Sequence, residues 1–277
     1  MSGRSVHPLM KYIRPETLPL PHCPGCGDGV IAQCILRAVD ELGLDFTKVA
    51  FVSGIGCAGW IPSPLFNTDV LHTTHGRPIA FATGLKLANP ELNVVVISGD
   101  GDLSAIGGNH LIHGARRNIG LSVICVNNFI YGMTGAQVAP TTPHGLRTDT
   151  TPYGNPENPF DLCKLVEAAG GTYVARWSTL HARQLIRSIK KALQRKGFSF
   201  IEVLSPCPVR YGPLIKVRHP VDMVKWLQGI MVNKEEAKRL SAEELSQKIV
   251  VGEFVEKTAP ELSEQYTKMR LRENGED

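Results

Sequence analysis

The sequence has no long hydrophobic run. No stretch of the 277 residues approaches the roughly 20 consecutive apolar residues that a membrane helix needs, so we expect no membrane span. The first residues, MSGRSVHP, contain no apolar core followed by a small-residue cleavage site, so we expect no secretion signal there. Together these two features predict a soluble, cytoplasmic protein.

The sequence also has few aromatic residues and no strong excess of positive or negative charge. Aromatic residues make up 6% of the chain, and the formal net charge is only +4. No dense stripe of Lys and Arg interleaved with aromatic residues occurs, which argues against nucleic-acid binding. The seven cysteines are an odd number in a chain without a secretion signal, which argues against a disulfide framework. Hydrophobic residues make up 43%, enough for a sizeable core.

Helices and strands are predicted to alternate along the middle of the chain. The spacing of apolar residues predicts helices at residues 28–42, 78–87, 103–117, 159–169 and 179–195. Short apolar runs predict buried strands at residues 49–52, 94–97, 121–126, 172–176 and 198–204. This alternation predicts an α/β fold, a mostly parallel sheet with helices on both faces. Ligands of such folds lie beyond the carboxyl ends of the strands, so we expect the functional residues in those loops.

The two ends of the chain depart from this alternation. Residues 1–22 are rich in proline, which predicts an extended N-terminal arm. After about Val232 the composition shifts to Glu, Lys and Ser, which favours a charged helical tail. We therefore divide the chain into an arm (1–22), a central domain (23–211) and a helical, charged C-terminal extension (212–277).

The loop after the predicted strand at 94–97 carries acidic and glycine residues. It reads SGDGDL (98–103), and 25 residues separate Gly101 from the pair Asn127 and Asn128. Asp100 and the amide carbonyl of Asn128 follow two predicted strands and are oxygen ligands that suit Mg²⁺. The glycines let the backbone approach a diphosphate closely, and the start of the next helix favours its negative charge. The spacing resembles the signature of thiamine-diphosphate-binding proteins, and this resemblance implies Mg²⁺ ligation by Asp100, Asn128 and the backbone carbonyl of Ile130.

Four cysteines lie in or beside loops that we expect near this site. Cys23 and Cys26 form a CPGC pair before the first helix, while Cys57 and Cys207 follow the first and last strands. Four converging thiolates suit a tetrahedral Zn²⁺ or a [4Fe–4S] cluster. Structural zinc sites usually use two close pairs, so one pair and two remote cysteines favour the iron–sulfur cluster. We expect the remaining cysteines to be structural: Cys34, Cys125 and Cys163.

Five motifs together resemble one protein family. They are HCPGCG (22–27), GIGC (54–57), TTHGR (73–77), GDGD (99–102) and NNFIYGMTG (127–135). In this order they resemble the thiamine-diphosphate-binding β subunit of 2-oxoacid:ferredoxin oxidoreductases over residues 22–211. The resemblance implies that one [4Fe–4S] cluster is held by Cys23, Cys26, Cys57 and Cys207. It also implies that thiamine diphosphate is surrounded by Ile55, Gly56, Cys57, Ala58, His75, Gly101, Asp102, Gly132 and Met133.

The finer pattern is most similar to the 2-oxoglutarate branch of that family. The segments WIPSP (60–64) and HTTHGRP (72–78) carry this similarity. Some archaeal members place a basic residue three positions after the third cysteine, whereas this sequence has Trp60 there. We therefore expect Arg77 or a partner subunit to recognise the substrate carboxylate. No catalytic residue is assigned on this chain, and His75 is the one candidate.

The resemblance implies a reaction and a set of partners. The reaction is the coenzyme A-dependent oxidative decarboxylation of a 2-oxoacid, foremost 2-oxoglutarate, to an acyl-CoA such as succinyl-CoA. Electrons pass through the cluster to ferredoxin. Thiamine enzymes need a carboxylate against the pyrimidine ring of the cofactor, and in this family a second domain supplies it. The chain is too short to hold both domains, so we expect an obligate α subunit in an (αβ)₂ assembly, without nucleic acid or membrane.

Three alternatives stay open at this point. In the first alternative, the reaction is the same but the substrate is pyruvate or a branched-chain 2-oxoacid. A non-oxidative thiamine-dependent decarboxylase explains Asp100 and Asn128 but leaves the four loop cysteines unexplained. A zinc-stabilised binding module without catalysis explains the cysteines but not the acidic loop at 99–102.

Overall fold

An eight-stranded, mostly parallel sheet forms the centre of the fold. This computed structural model describes residues 7–274. In the order β2-β1-β3-β4-β8-β7-β10-β9 across the sheet, only β10 and β7 are antiparallel neighbours. A small ribbon, β5 and β6, lies apart from the sheet. The strands are β1 (Val49–Ser53), β2 (Val70–His72), β3 (Asn93–Gly99), β4 (Leu121–Asn127), β5 (Ile130–Tyr131), β6 (Gln137–Val138), β7 (Tyr173–Ser178), β8 (Ser199–Leu204), β9 (Met231–Asn233) and β10 (Ile249–Glu256).

Helices connect the strands and cover the sheet. The α-helices are α1 (Asp28–Leu42), α2 (Pro78–Ala88), α3 (Asp100–Ser104), α4 (Gly108–Arg117), α5 (Leu162–Ala168), α6 (Ala182–Gln194), α7 (Tyr211–Leu214), α8 (Pro220–Ile230), α9 (Lys234–Ala237), α10 (Ala242–Ser246) and α11 (Leu262–Asn274). Short 3₁₀ turns occur at Pro8–Tyr12, Pro15–Thr17, Phe46–Lys48, Cys57–Trp60 and Thr179–His181. Within residues 7–274, no helix combines the length and the hydrophobicity that crossing a membrane requires.

Two hydrophobic clusters cover the two faces of the sheet. Val95 and Ile97 of β3 belong to the cluster that includes α1 and α6. Val94 and Val96 of the same strand belong to the cluster that includes α2, α4 and α5. Because alternate side chains of a strand point to opposite faces, this division shows that the sheet is covered on both sides. The predicted α/β fold with a mostly parallel sheet is confirmed.

The helix predicted over residues 103–117 is two helices in the structure. The first, α3, already begins at Asp100, and the chain leaves helical geometry at Ala105, where ψ is −97°. The second, α4, begins at Gly108. A β-carbon on Gly107 would lie 2.5 Å from the carbonyl oxygen of Asp102, so this break needs a glycine. The close backbone approach between the two segments therefore explains why the helix is interrupted.

The N-terminal segment is not the extended arm that we predicted. Residues 7–22 include two 3₁₀ turns, and Leu9 and Tyr12 are buried in the core cluster around α1. The Tyr12 hydroxyl donates a 2.8 Å hydrogen bond to Asp40 of α1. Pro8 and Pro15 thus begin short turns here instead of keeping the chain extended. Residues 1–6 of the predicted arm lie outside the described residues.

The C-terminal extension is not purely helical. It contains β9 and β10, and β10 pairs antiparallel with β7, so the extension completes the main sheet. The run IVVGEFVE of β10 is rich in apolar residues, and Val251 is buried, but the run lies within a strongly charged region. The high average content of Glu, Lys and Ser after Val232 therefore gave no indication of this strand. Residues 275–277 of the extension lie outside the described residues.

We expect Leu9→Ala to destabilise the chain, because it empties a buried position between the N-terminal segment and α1. Deleting a buried leucine side chain costs about 2–5 kcal/mol of unfolding free energy, measurable by chemical denaturation. Leu18→Ala is the matched control, since Leu18 is 44% exposed and its loss should change stability by about 0.5 kcal/mol or less. A near-neutral Leu9→Ala would mean that the segment does not contribute to the core.

Candidate functional site

A cavity of about 250 Å³ opens at the carboxyl edge of the parallel sheet. Its walls come from the loops after β1, β3 and β4 and from the loop before α2. All nine residues predicted to surround the cofactor lie on these walls, and so do the three predicted Mg²⁺ ligands. The lining residues are Ile55, Gly56, Cys57, Ala58, His75, Gly99, Asp100, Gly101, Asp102, Val126, Asn128, Ile130, Tyr131, Gly132, Met133 and Thr134.

Asp100 is a buried carboxylate on the cavity wall. It is 1% exposed, and its side chain accepts hydrogen bonds from the Asn128 backbone N–H and the Thr141 hydroxyl. Burial raises the pKa of Asp100 to about 7, because these hydrogen bonds only partly offset the loss of water. A cation beside it would restore the charged form. The chemistry of Asp100 therefore fits a metal-ligand role.

The other two predicted Mg²⁺ ligands lie in the turn that faces Asp100. The side-chain oxygen of Asn128 accepts a 3.3 Å hydrogen bond from the backbone N–H of Ile130, which closes the turn. A carboxylate, an amide carbonyl and a backbone carbonyl make an all-oxygen donor set, the kind that Mg²⁺ prefers. The residues present fit the predicted ion, and their ligand role stays a prediction.

Asp102 ties the loops of the cavity together. Its Oδ1 accepts hydrogen bonds from the backbone N–H of Gly76 (2.7 Å) and that of Ile55 (3.4 Å). The same oxygen lies 2.5 Å from Nδ1 of His75, and the Ser98 hydroxyl donates to Oδ2. Because Asp102 is only 2% exposed, these contacts replace the water that its carboxylate has lost. Three loops far apart in sequence are thereby fixed as one wall.

The four loop cysteines converge beside the cavity. Cys57 lines it, and a β-carbon on Gly132 would lie 3.7 Å from Sγ of Cys207. Burial, the largest cause, and the nearby charges of Asp28, Cys207 and Cys23 together raise the pKa of Cys57 to about 11. Burial, the largest cause, and the nearby charges of Asp28, Cys207 and Cys57 raise the pKa of Cys26. Such thiols become thiolates readily only next to positive charge, which a metal group supplies.

A buried aspartate and a histidine link the cysteine-bearing segments. Asp28 is 2% exposed, and its carboxylate lies 3.6 Å from Nε2 of His22 and accepts a 3.1 Å hydrogen bond from the Ser205 hydroxyl. Nε2 of His22 lies 3.2 Å from the carbonyl oxygen of Cys57. These contacts join the segments that carry Cys23, Cys57 and Cys207. Within residues 7–274, no three His, Cys, Asp or Glu side chains are grouped so as to hold a metal ion.

Comparison with known proteins identifies the family. Residues 54–203 match the thiamine pyrophosphate enzyme, C-terminal TPP binding domain. The 2-oxoglutarate synthase subunit KorB of Methanocaldococcus jannaschii is 56% identical over 95% of this chain and 97% of that protein. The Archaeoglobus fulgidus KorB subunit is 46% identical over 94% and 93%. The chain belongs to the β-subunit family of 2-oxoglutarate:ferredoxin oxidoreductases.

A solved structure supports the same assignment. The 2-oxoglutarate:ferredoxin oxidoreductase from Magnetococcus marinus, solved with 2-oxoglutarate, coenzyme A and succinyl-CoA bound, superimposes with a TM-score of 0.85. The identity is 33%, over 99% of this chain and 93% of that chain. The predicted family, its 2-oxoglutarate branch, the thiamine-diphosphate-binding domain and the subunit character of the chain are confirmed. The zinc-stabilised binding module without catalysis is wrong, because this chain is an enzyme subunit.

The role predicted for Arg77, recognition of the substrate carboxylate, stays a prediction. Arg77 is absent from the cavity lining, and its guanidinium instead lies 2.9 Å from Nε2 of His110 on α4. It also donates to the carbonyl oxygen of Ile106. Burial and the charge of Arg77 lower the pKa of His110. The contacts of Arg77 are therefore those of a link between α2 and α4, and they give no support to substrate recognition by this residue.

Tyr131, His22 and Asp28 are site residues that the sequence analysis missed. The Tyr131 hydroxyl donates a 3.0 Å hydrogen bond to the carbonyl oxygen of Gly101, and its ring lies 5.8 Å from that of His75. A β-carbon on Gly101 would lie 2.5 Å from the Tyr131 ring. Both Tyr131 and His22 belong to the recognised motifs, NNFIYGMTG and HCPGCG. Their place within those motifs was the signal available in the sequence.

We expect Gly54→Ala to weaken thiamine diphosphate binding, because the added methyl group would overlap the Asp102 carboxylate and the Ser98 hydroxyl. Overpacking of this kind costs about 1–3 kcal/mol, so the cofactor dissociation constant should rise by roughly 10-fold in a fluorescence titration. Gly84→Ala in α2 is the control, since nothing lies within 4 Å of its added carbon. Equal affinities of the two variants would show that Asp102 does not organise the cavity.

Proposed function

We propose that this chain, with an α subunit, catalyses the coenzyme A-dependent oxidative decarboxylation of 2-oxoglutarate to succinyl-CoA, with ferredoxin as electron acceptor. The observation that carries the proposal is the position of Cys57. It belongs both to the wall of the predicted thiamine diphosphate cavity and to the set of four converging cysteines. Decarboxylation and electron transfer would then occur side by side. The ligands of the Magnetococcus marinus structure support 2-oxoglutarate and coenzyme A as substrates.

The oxygen ligands would hold Mg²⁺ and, through it, the diphosphate. Asp100, Asn128 and the carbonyl of Ile130 supply this donor set, and Mg²⁺ keeps further positions for phosphate oxygens and water. Thiamine diphosphate, when bound, supplies the electron sink for the loss of CO₂. Asp102 fixes His75 and the 54–58 loop around the cavity, so these groups are oriented before the substrate arrives. His75, which lines the cavity, would be the catalytic candidate on this chain.

The four cysteines would hold one [4Fe–4S] cluster. The proposal is supported by the thiol donors of Cys23, Cys26, Cys57 and Cys207, which suit iron–sulfur clusters. It is also supported by their positions along the chain, one close pair and two remote cysteines, because structural zinc sites usually use two close pairs. A cluster distributes its cysteines over several irons, whereas a zinc ion needs all of its ligands at one centre.

The cavity is incomplete on this chain alone. Two large apolar side chains of its wall, Ile55 and Met133, are 39% and 43% exposed, and Trp60 at the end of the adjoining Cys57–Trp60 turn is 42% exposed. Exposed apolar surface next to a site marks a surface that a partner covers. We therefore propose that an obligate α subunit covers this edge and supplies the carboxylate for the pyrimidine ring, in an (αβ)₂ assembly. The same subunit would recognise the substrate carboxylate, because Arg77 is engaged by α4.

We expect Cys57→Ser to lose iron, because it removes one of the four predicted cluster ligands. Anaerobically purified wild-type complex should contain about four irons and four sulfides per copy of this chain. Cys34→Ser is the matched control, because Cys34 is buried in α1 and should leave the iron content unchanged. Wild-type protein that contains one zinc and no iron would overturn the proposed path of the electrons.

The substrate is tested by anaerobic viologen reduction with the chain co-purified with its α subunit. We expect coenzyme A-dependent reduction mainly with 2-oxoglutarate, compared with pyruvate and branched-chain 2-oxoacids, and none by the chain alone. Faster reduction with another 2-oxoacid would overturn the substrate and keep the reaction type. Release of CO₂ without viologen reduction would favour a non-oxidative decarboxylase. Turnover by the isolated chain at the rate of the complex would contradict the need for an α subunit.

A further inference from the structure

Glu202 is a buried carboxylate that the proposed reaction does not use. It lies in β8, is 2% exposed, and is level with Cys125 of β4 and Arg176 of β7. A charge inside a parallel sheet is unfavourable unless its partners compensate it, and an apolar residue would pack there without that requirement. We propose that Glu202 is a positioning residue that acts through Asn127 to hold the turn bearing the Mg²⁺ ligands Asn128 and Ile130. This inference rests on the proposed Mg²⁺ site.

Hydrogen bonds connect Glu202 to that turn. The side-chain Nδ2 of Asn127 donates a 2.7 Å hydrogen bond to Oε1 of Glu202. The side-chain Oδ1 of Asn127 accepts a 3.0 Å hydrogen bond from the backbone N–H of Phe129. Asn127 is 3% exposed, so water does not compete for these bonds. The first asparagine of the pair thus orients the backbone that follows the second, Asn128.

The turn needs such support because its central residue is strained. Phe129 has a φ of +68°, in the left-handed region that residues with a β-carbon rarely adopt. It stands between the two ligand residues Asn128 and Ile130. Asn127 holds its N–H, and the Thr142 hydroxyl donates a 2.5 Å hydrogen bond to its carbonyl oxygen. A strained conformation persists only where its surroundings fix it, and here two buried side chains do so.

Arg176 holds the other oxygen of the Glu202 carboxylate, the one that does not face Asn127. Its Nε donates a 2.7 Å hydrogen bond to Oε2 of Glu202, which leaves Oε1 facing Asn127. The guanidinium is itself held by Asp161, at 2.5 Å, and by the carbonyl oxygen of Val250 in β10. A chain of contacts therefore runs from the C-terminal extension through the sheet to the edge of the cavity.

The direction of these hydrogen bonds explains why the residue is a glutamate. Arg176 can only donate, and Asn127 must donate with Nδ2 because its oxygen is already engaged by Phe129. Both terminal atoms of the side chain at position 202 must therefore accept a hydrogen bond. A carboxylate does so, whereas a glutamine amide would set one donor against another donor. If only the size of the side chain mattered, glutamate and glutamine would be equivalent at position 202.

The test compares metal binding by the αβ complex with Mn²⁺ as the spectroscopic probe. In the presence of thiamine diphosphate, free Mn²⁺ is measured by electron paramagnetic resonance. We expect E202Q to raise the Mn²⁺ dissociation constant by about 10- to 100-fold, the range typical of residues that orient metal ligands. Glu261→Gln is the matched control: Glu261 is 3% exposed, and both of its oxygens also accept hydrogen bonds. It lies next to Gly120 at the opposite edge of the sheet, so Mn²⁺ binding should not change.

A compensating pair of substitutions separates positioning from general destabilisation. N127D alone sets a second carboxylate against Glu202, so it should also weaken Mn²⁺ binding. In N127D/E202Q the new amide donates to the new carboxylate and still accepts from Arg176, so the hydrogen bonds are complementary again. We expect the double variant to bind Mn²⁺ more tightly than either single variant. If E202Q does not assemble, N127D and the double variant carry the same comparison.

The outcomes distinguish this inference from the proposed site on which it rests. Wild-type complex that binds no Mn²⁺, or binds it equally well after Asp100→Asn, would overturn the metal site itself. An intact wild-type site with unchanged affinity in E202Q or N127D would overturn only the role of Glu202. A double variant weaker than both single variants would also overturn it, because restored complementarity would then have no effect on the metal.

Discussion

The buried carboxylate of Asp102 is the contact on which the shape of the cavity depends. It receives the backbone N–H groups of Gly76 and Ile55 and approaches His75, so it joins loops that precede and follow different strands. Parallel strands bring these loops to one edge, but they do not fix the loops against one another. A buried charge does, because each hydrogen bond that it loses leaves it poorly compensated. The glycine at position 54 is required by the same contact, since no side chain fits beside the carboxylate.

Four buried acidic residues lie at or near the carboxyl edge of the sheet. Asp28, Asp100, Asp102 and Glu202 are each 2% exposed or less, and all lie on or beside the strands and loops that form this edge. Buried ionic groups seldom increase stability over a well-packed apolar core. Their presence at this edge is therefore better explained by function, since each orients a loop, a cysteine-bearing segment or a candidate metal ligand.

The sequence predicted the parts of the fold that have a local pattern. Apolar runs located the strands, and because parallel strands end together, the residues after β1, β3 and β4 were correctly expected at one place. Partners far apart in sequence were not predictable. Tyr12 packs on α1 although its segment is rich in proline, and β10 lies within a charged region. Glu202 is a single acidic residue in an apolar run, and its contacts with Asn127 and Arg176, which are remote in sequence, were not predictable.

The range that matches the thiamine pyrophosphate domain contains the whole cavity lining but only one of the four predicted cluster ligands. The thiamine pyrophosphate domain matches residues 54–203, which include the whole cavity lining and Cys57. Cys23, Cys26 and Cys207 lie outside that range, on the segments that directly flank it. His22, Asp28 and Ser205 connect these flanking segments to one another and to the carbonyl oxygen of Cys57. The redox centre that we propose is thus built by additions to a thiamine-binding domain, which agrees with the general rule that function resides in sites placed on a fold. Cys57 is the point where the added segments meet the original cavity, so the two cofactors would share a wall.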